Sequence, residues 1–486
     1  MTGRPAWTET GKRDAAAAEE INVTDDLHVV VLAAGKGTRM KSAQPKVLHR
    51  AAGLPLIEWV VRAARALRPV SITVVLGHGS DQVREWFADD ESIRFVIQEP
   101  QLGTGHALLQ AERVLTKRRG TVLLLSGDAP LVTKASLERL VATRREHGAS
   151  VVVATADLTA PAGYGRVVRE NGGLARIVED RDATPAEREI TEVNSGVYAF
   201  ALASLFEALR GLGTSNAQGE YYLPELVAVH RQAGHVVMAE RLEDADEIRG
   251  INTRAELAGV GRLLQDRING DLMAGGVTLV DPSTAYIGPD VEIGADTVLH
   301  PFVFIEGRST IGAGCEIHAG SRILDSKLGA RVTVYNHTVI AESEVGDDVH
   351  LGPFARIRPM STVGVGAHVG NFVEIKKSTV GDGSKIGHLS YIGDSAVGAG
   401  VNIGAGTITC NFDGHAKHRT VIGDKAFVGS DSTLVAPVSI GPGAYVAAGS
   451  AITEDVPAGA LGIARGRQAN KPGWAKARAA GKDGGR

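Results

Sequence analysis

The feature that most limits what this chain can become is a six-residue beat in its second half. Ile287, Ile293, Leu299, Ile305, Ile311, Ile317 and Ile323 lie six apart, and after several five-residue steps the beat resumes at Ile422, Val428, Leu434, Ile440, Val446 and Ile452. A helix repeats about every 3.6 residues and an alternating strand every two, so neither sustains a six. A triangular coil of short parallel strands does, with one inward aliphatic on each face and eighteen residues to the turn. Glycine follows many of these aliphatics, as in Ile293-Gly294, Ile311-Gly312, Ile422-Gly423 and Ile440-Gly441, which predicts tight corners. The expectation is a parallel β-helix over residues 275–458 with its interior filled. Any site must then lie on an outer face, between neighbouring chains or under a loop. The beat breaks at "TITCNFDGHAKHRTV", residues 407–421, which predicts an inserted loop carrying His415, Lys417, His418 and Arg419.

The first half has a different grammar. From residue 27 short apolar runs alternate with amphipathic helices: "LHVVVLAAG", "PLIEWVVRAARAL", "VSITVVLGHG", "VREWF", "IRFVIQE" and "GTVLLLSGDAPLV". That alternation predicts a mostly parallel, Rossmann-like α/β sheet over 27–250, with ligands gathered at the carboxyl ends of the strands, where Gly35, Gly77 and Asp128 fall. "GINTRAELAGVGRLLQDRINGDLMAG" predicts a helical linker over 251–274, started by Thr253 with Glu256 at capping-box spacing. Residues 1–26 are expected to be a flexible tail and 459–486 a C-terminal segment with a basic tail.

Glycine reaches 60 residues while aromatics are only 5%, an imbalance concentrated in the coil half. A net charge of -4 gives no general case for nucleic-acid binding, and no stretch approaches the apolar length of a membrane span. The first 24 residues lack the apolar core of a secretory signal, and Cys315 and Cys410 make neither a disulfide framework nor a CxxC zinc motif. A cytoplasmic enzyme is expected.

The stretch "VVLAAGKGTRMKSAQPKVL" (30–48) looks like a phosphate cradle but fits neither the Walker nor the dinucleotide glycine pattern. Ala33, Ala34, Gly35 and Gly37 can bring backbone N–H groups to phosphates, the following helix is expected to add its positive end, and Arg39 and Lys46 supply cations. Together with "QLGTGHA", "GDAPL", "GYGRVV", "EVNSGVY" and "NAQGEYYLPE", this stretch resembles the sugar-1-phosphate nucleotidyltransferases. "GPFARIRP", "GNFVEIKKS", "GHLSYIGD", "VNIGAGTITCNFDG" and "FVGSDSTLVAP" resemble hexapeptide-repeat acetyltransferases. The ordered set, over about residues 27–474, is similar to the bacterial bifunctional N-acetylglucosamine-1-phosphate uridyltransferase/glucosamine-1-phosphate N-acetyltransferase family.

That resemblance implies a left-handed coil, a homotrimer with three interface sites, Mg²⁺, and UTP and acetyl-CoA as cosubstrates. It implies triphosphate contacts from Arg39 and Lys46, a metal held by Asp128 and Asn252, a uracil pocket lined by Gln98, Gly103 and Thr104, and a sugar site at Gly165, Glu179 and Asn194. For acetyl transfer it implies His388 as general base, oriented by Asn411, with Arg358, Lys376, Tyr391, Asn402 and Lys417 around the sugar phosphate. Ala405, Ser430, Ala448 and Arg465 match acetyl-CoA contacts. Two residues depart from the pattern of some relatives, which carry Tyr at Ser126 and at Phe412. The product would feed cell-wall precursor synthesis. A covalent role for Cys410 has little to support it, since direct attack by the amine suffices. The competing readings are a single-function sugar-1-phosphate nucleotidyltransferase with a structural coil, and a β-helical scaffold with degenerate sites.

Overall fold

The computed structural model describes residues 25–35, 37–77 and 80–480. The chain divides into two compact units. One runs from the described N-terminal end to Leu48 and resumes over Leu56–Gly250; the other combines His49–Pro55 with the chain from Ile251 onward. The short excursion 49–55 into the second unit leaves no periodic trace in the sequence. Residues 1–24 lie outside the described residues. Asp25, assigned above to the tail, is already anchored: its carboxylate accepts from Thr121 Oγ1 at 2.7 Å and pairs with Arg144 and Arg145.

The first unit is a twisted sheet of nine strands: β1 (Leu27–Ala33), β2 (Ser71–Leu76), β3 (Ile93–Ile97), β4 (Thr121–Ser126), β5 (Val151–Asp157), β6 (Arg166–Glu170), β7 (Gly173–Val178), β8 (Glu192–Ala201) and β9 (Val237–Arg241). Its main path runs β9-β5-β8-β4-β1-β2-β3, with β6 and β7 attached through β8. β1 is parallel to both β2 and β4, whereas β8 is antiparallel to β4 and β5. Val29–Val31 in β1, Leu123–Leu125 in β4 and Val151–Val153 in β5 are buried on both faces, which is why these strands read as unbroken apolar runs. Because β1 and β4 are parallel and in register, with Leu32 opposite Ser126, Ala33–Gly35 and Gly127–Asp128 emerge side by side at one sheet edge.

In the second unit, the helix Arg254–Ala274 opens with the predicted capping box: Thr253 Oγ1 accepts from the Glu256 N–H at 3.2 Å, and the Glu256 carboxylate accepts from the Thr253 N–H at 2.9 Å. The coil follows as three stacked parallel sheets of 11, 10 and 9 strands. Ile287, Ile305, Ile323, Ile340, Ile357, Ile375 and Ile392 stack on consecutive turns of one face, and all are buried. Turns of seventeen residues, as from Ile311 to Leu328, account for the five-residue steps. Val397 pairs with Ile422, twenty-five residues on, so a loop is extruded between two turns without disturbing the inner column; it is shorter than the predicted 407–421, because Ile408–Cys410 and Thr420–Ile422 are strands of the coil.

One expectation is corrected. Gly294, Gly312, Gly423 and Gly441 are not turn residues of positive φ. A Cβ on Gly312 would lie 2.5 Å from the Gly329 carbonyl oxygen, and one on Gly441 would lie 2.4 Å from the Ala458 nitrogen. Glycine is needed there because the next turn passes too close for a side chain. Left-handed corners are instead often held by bulky residues, among them Phe302, His337, Phe354, Phe372 and Leu389.

Since the inner column is close-packed, Ile340→Ala should destabilise the coil by about 2–5 kcal/mol, whereas Val365→Ala, at an exposed position, should change stability by less than about 0.5 kcal/mol. Urea unfolding followed by circular dichroism checks both.

Candidate active sites

In the first unit, a cleft of about 430 Å³ opens at the edge where β1 and β4 end. It is lined by Ala33, Ala34, Gly35, Lys46, Gln98, Gly103, Thr104, Ser126 and Asp128, all singled out from the sequence, and also by Gln101 and Glu220, which were not. Lys46 forms an ion pair with Asp128, both side chains being mostly buried, and Ser126 Oγ donates to the other oxygen of the same carboxylate at 2.6 Å. Gly37, at φ +60°, permits this arrangement, since a Cβ there would lie 2.7 Å from Lys46 Cβ. Gln98 Nε2 donates to the Gly103 carbonyl at 2.9 Å, and Gln101 donates to the Ala34 carbonyl, tying the loop after β1 to the segment after β3. Gln101 stands inside the quoted "QLGTGHA", but only the fold shows that it reaches Ala34.

No α-helix follows the loop directly. Two short 3₁₀ turns, Thr38–Met40 and Lys46–Leu48, precede the helix Leu56–Arg65, so the expected helix dipole is not aimed at the cradle. The left-handed residues Gly37 and Lys41 stop propagation. Arg39 sits exposed on the first turn and does not line the cleft.

Gly165 immediately before β6, Glu179 immediately after β7 and Asn194 in β8 fall in one region of the sheet, outside that lining. The Asn194 N–H donates to the Gly165 carbonyl at 2.9 Å, and Asn194 Oδ1 accepts from the Gly196 N–H at 3.0 Å. Burial, then the nearby Asp182 and Asp180, hold the Glu179 carboxyl above its ordinary pKa. Asn252 lies in the second unit, where its backbone N–H donates to Glu256 Oε2 at 2.6 Å.

On the coil, residues far apart in sequence fall into one column. Asn371 is in register with His388, and continuing the register one turn at a time places Ala405, Ser430 and Ala448 at equivalent positions. The column therefore runs from two polar side chains onto a strip of small ones, and Arg465 Nη1 caps it by donating to the Ala448 carbonyl at 2.7 Å. His388 Nδ1 lies 2.6 Å from Asn371 Oδ1. An amide oxygen can only accept, so Nδ1 carries the proton and Nε2 is left as the basic nitrogen. Asn371 was missed; it lies in the quoted "GNFVEIKKS", and only the seventeen-residue turn brings it to His388.

Asn411, expected to orient His388, points elsewhere within this chain: its amide donates to Asp394 and, at 3.5 Å, to the Tyr391 hydroxyl. Asn402 lies on the face that carries His388, one turn beyond Lys385. On the adjoining face Arg358 pairs with Glu374 at 2.7 Å, and Lys376 sits one turn further along. Lys417 comes from the inserted loop, which is folded by Asp413: its carboxylate accepts from the His415 and Ala416 N–H groups, both at 2.7 Å, and meets His418 Nε2 at 2.6 Å. The neighbouring Lys376 ammonium lowers the Lys417 pKa. Asp394 lies near enough to oppose that effect only in part, so the two ammonium groups side by side favour an anion. Phe412 is 58% exposed, and Cys410 is half-buried on a strand.

The fold and sites define a nucleotidyltransferase unit joined to a hexapeptide-repeat acyltransferase coil. A profile described as "MobA-like NTP transferase domain" matches residues 29–233, and "Bacterial transferase hexapeptide (six repeats)" matches 290–325 and 419–454. The chain is 48% identical to "Bifunctional protein GlmU" of Pelobacter propionicus over 93% of this chain and 98% of the relative. It is 49% identical to that of Trichlorobacter lovleyi over 92% and 97%, and 45% identical to that of Streptococcus agalactiae over 92% and 97%. The chain belongs to the GlmU family of bifunctional enzymes, carrying a uridyltransferase and an acetyltransferase.

Gly37→Val should push Lys46 out of its place beside Asp128 and weaken UTP binding at least about tenfold, read by titration calorimetry, with acetyl transfer unchanged.

Proposed function

We propose that the cleft at the ends of β1 and β4 is the uridyl-transfer site and that the column through His388 is the acetyl-transfer site. The enzyme acetylates glucosamine 1-phosphate with acetyl-CoA, then transfers UMP from UTP to N-acetylglucosamine 1-phosphate with loss of pyrophosphate. One observation carries the assignment: each unit holds its own cation and its own acid or base, Lys46 paired with Asp128 in one, and in the other His388 held by Asn371 on one face of the coil with Lys376 and Lys417 together at the adjoining face.

In uridyl transfer the attacking sugar phosphate is already an anion, so alignment and charge neutralisation govern the rate. Lys46 and the backbone around Ala33–Gly35 take the triphosphate, and Gln98 with Gly103 and Thr104 form the base pocket. Gly165, Glu179 and Asn194 receive the sugar, and Arg39 would have to swing in from the surface. The Asp128 carboxylate fits a hard, partly hydrated Mg²⁺: it is an oxygen donor at the cleft floor, oriented by Ser126 and held ready by a lysine that phosphate can draw away. Mg²⁺ there would supply charge neutralisation between the phosphates; Asn252 is the other residue we assign to metal binding.

In acetyl transfer His388 Nε2 removes the proton from the attacking amine, while Asn371 holds the ring in the tautomer that leaves Nε2 basic. Acetyl-CoA lies along Ala405, Ser430 and Ala448, where small side chains leave room and Arg465 offers positive charge. Arg358, Lys376 and Lys417 hold the spectator phosphate, with Tyr391, Asn402 and Asn411 completing the sugar site. Beside the column runs an exposed apolar ridge of Phe354, Phe372 and Leu389 at 50%, 54% and 62%, each in a left-handed conformation that is unfavourable for residues with a Cβ. Bulky residues kept exposed at strained corners support a second copy packing there, and with it a homotrimer whose acetyl sites lie between subunits. Among the described residues no helix is long and apolar enough to cross a membrane. From UTP and acetyl-CoA as substrates we infer a cytoplasmic enzyme.

Two variants test the division. Asp128→Asn should cut uridyl transfer roughly 100-fold or more with acetyl transfer kept, and His388→Ala should cut acetyl transfer roughly 100-fold or more with uridyl transfer kept. CoA and pyrophosphate release are measured separately; loss of both activities in either variant would refute the division. Asn371→Ala should lower kcat for acetylation about tenfold while leaving the KM for acetyl-CoA unchanged.

A further inference from the structure

Near the beginning of the coil, on the face that carries His388 but four or more turns before it, the eighteen-residue period stacks two histidines. His300 and His318 follow the inward Leu299 and Ile317 on consecutive turns, and their rings lie 4.7 Å apart, 5° from parallel. Glu316, on the other side of Ile317, turns its Oε1 toward both: it lies 3.0 Å from His300 Nε2 and 3.6 Å from His318 Nε2. All three ligand atoms fall within 4.8 Å of one another. Both histidine side chains are half-buried, and their backbones are fixed by the coil: the His300 N–H donates to the Ile317 carbonyl at 2.9 Å, and that of His318 to the Val334 carbonyl at 2.8 Å. Tyr335 stacks beneath His318 with ring centroids 5.4 Å apart and closes that side.

We propose that His300, Glu316 and His318 form a binding site for a divalent transition metal of the zinc class. Two imidazole nitrogens and one carboxylate are a donor set that such ions favour, whereas Mg²⁺ and Ca²⁺ prefer all-oxygen shells. Three protein ligands leave a fourth position for water. The donors already converge to within a side-chain rotation of the roughly 3.4 Å spacing that bonds of about 2.1 Å require in a tetrahedron, and tilting the two rings toward each other completes the approach. The alternative occupant of this space is a proton: a charged imidazolium on Glu316 would use one histidine and gain nothing from stacking the second against it. Bound metal would join the second and third strands of this sheet.

Equilibrium dialysis of the full-length protein against Zn²⁺ should give about one tight site per chain, and Co²⁺ should give the intense visible bands of tetrahedral coordination. His300→Asn and His318→Asn should each weaken binding at least about tenfold and abolish those bands, while both transferase activities, whose residues lie elsewhere, remain and report intact folding. Should a variant lose activity, the unmodified protein serves: Zn²⁺ should protect His300 and His318 from diethylpyrocarbonate, read by mass spectrometry, while His350 and His368 on the same face still react. Unchanged Zn²⁺ affinity in both variants, or no selective protection, would overturn the proposal and leave an adventitious ion only.

Discussion

The close approach of one coil turn to the next sets the rest of the second unit. Successive turns hydrogen-bond through parallel strands, and at Gly312, Gly370, Gly404 and Gly441 they come so near that a single Cβ would strike the neighbouring backbone. That spacing fixes the register, and the register turns a one-dimensional repeat into columns. Ile287 through Ile392 become one buried column, and Asn371, His388, Ala405, Ser430 and Ala448 become one exposed column. A slip of one residue on any turn would send an aliphatic outward and break the base from its partner.

The first unit uses a different constraint for the same end. Parallel pairing of β1 with β4 brings the loop after Ala33 beside Asp128, and the nearly buried Lys46–Asp128 pair joins them. A buried pair of this kind is weak evidence of stability, because desolvation opposes its attraction. Its place in the lining of a cleft fits the proposed function better: each partner would have a charged ligand to meet, and each keeps the other placed until that ligand arrives. On the proposed assignment the two units hold phosphate by unrelated means.

Much of this was legible in the residues. The six-residue beat gave the coil and its filled interior, the apolar runs gave the parallel sheet, and Thr253 with Glu256 gave a helix start that the structure reproduces in both hydrogen bonds. Chemistry near a motif was legible too: Lys46, Gln98, Gly103, Thr104 and Asp128 all line one cleft. What was misread has a common cause. Glycine after an aliphatic was assigned to a corner, and a helix was placed behind the phosphate loop. Each of these depends on what lies across a turn or beyond a loop, and neither distance is encoded by adjacency in sequence.

By itself, then, the sequence determined the two architectures, the columns of inward aliphatics and the kinds of chemistry present, because period and local residue type follow directly from backbone geometry. Only the tertiary structure decided which groups meet. Asn371 reaches His388 across a turn of seventeen residues, Lys417 comes to Lys376 on an extruded loop, and His300 stacks on His318 across a turn of eighteen. The physical reason is that turn length varies, seventeen or eighteen residues through most of the coil and twenty-five where the loop is extruded, and one residue more or less changes which side chain faces which.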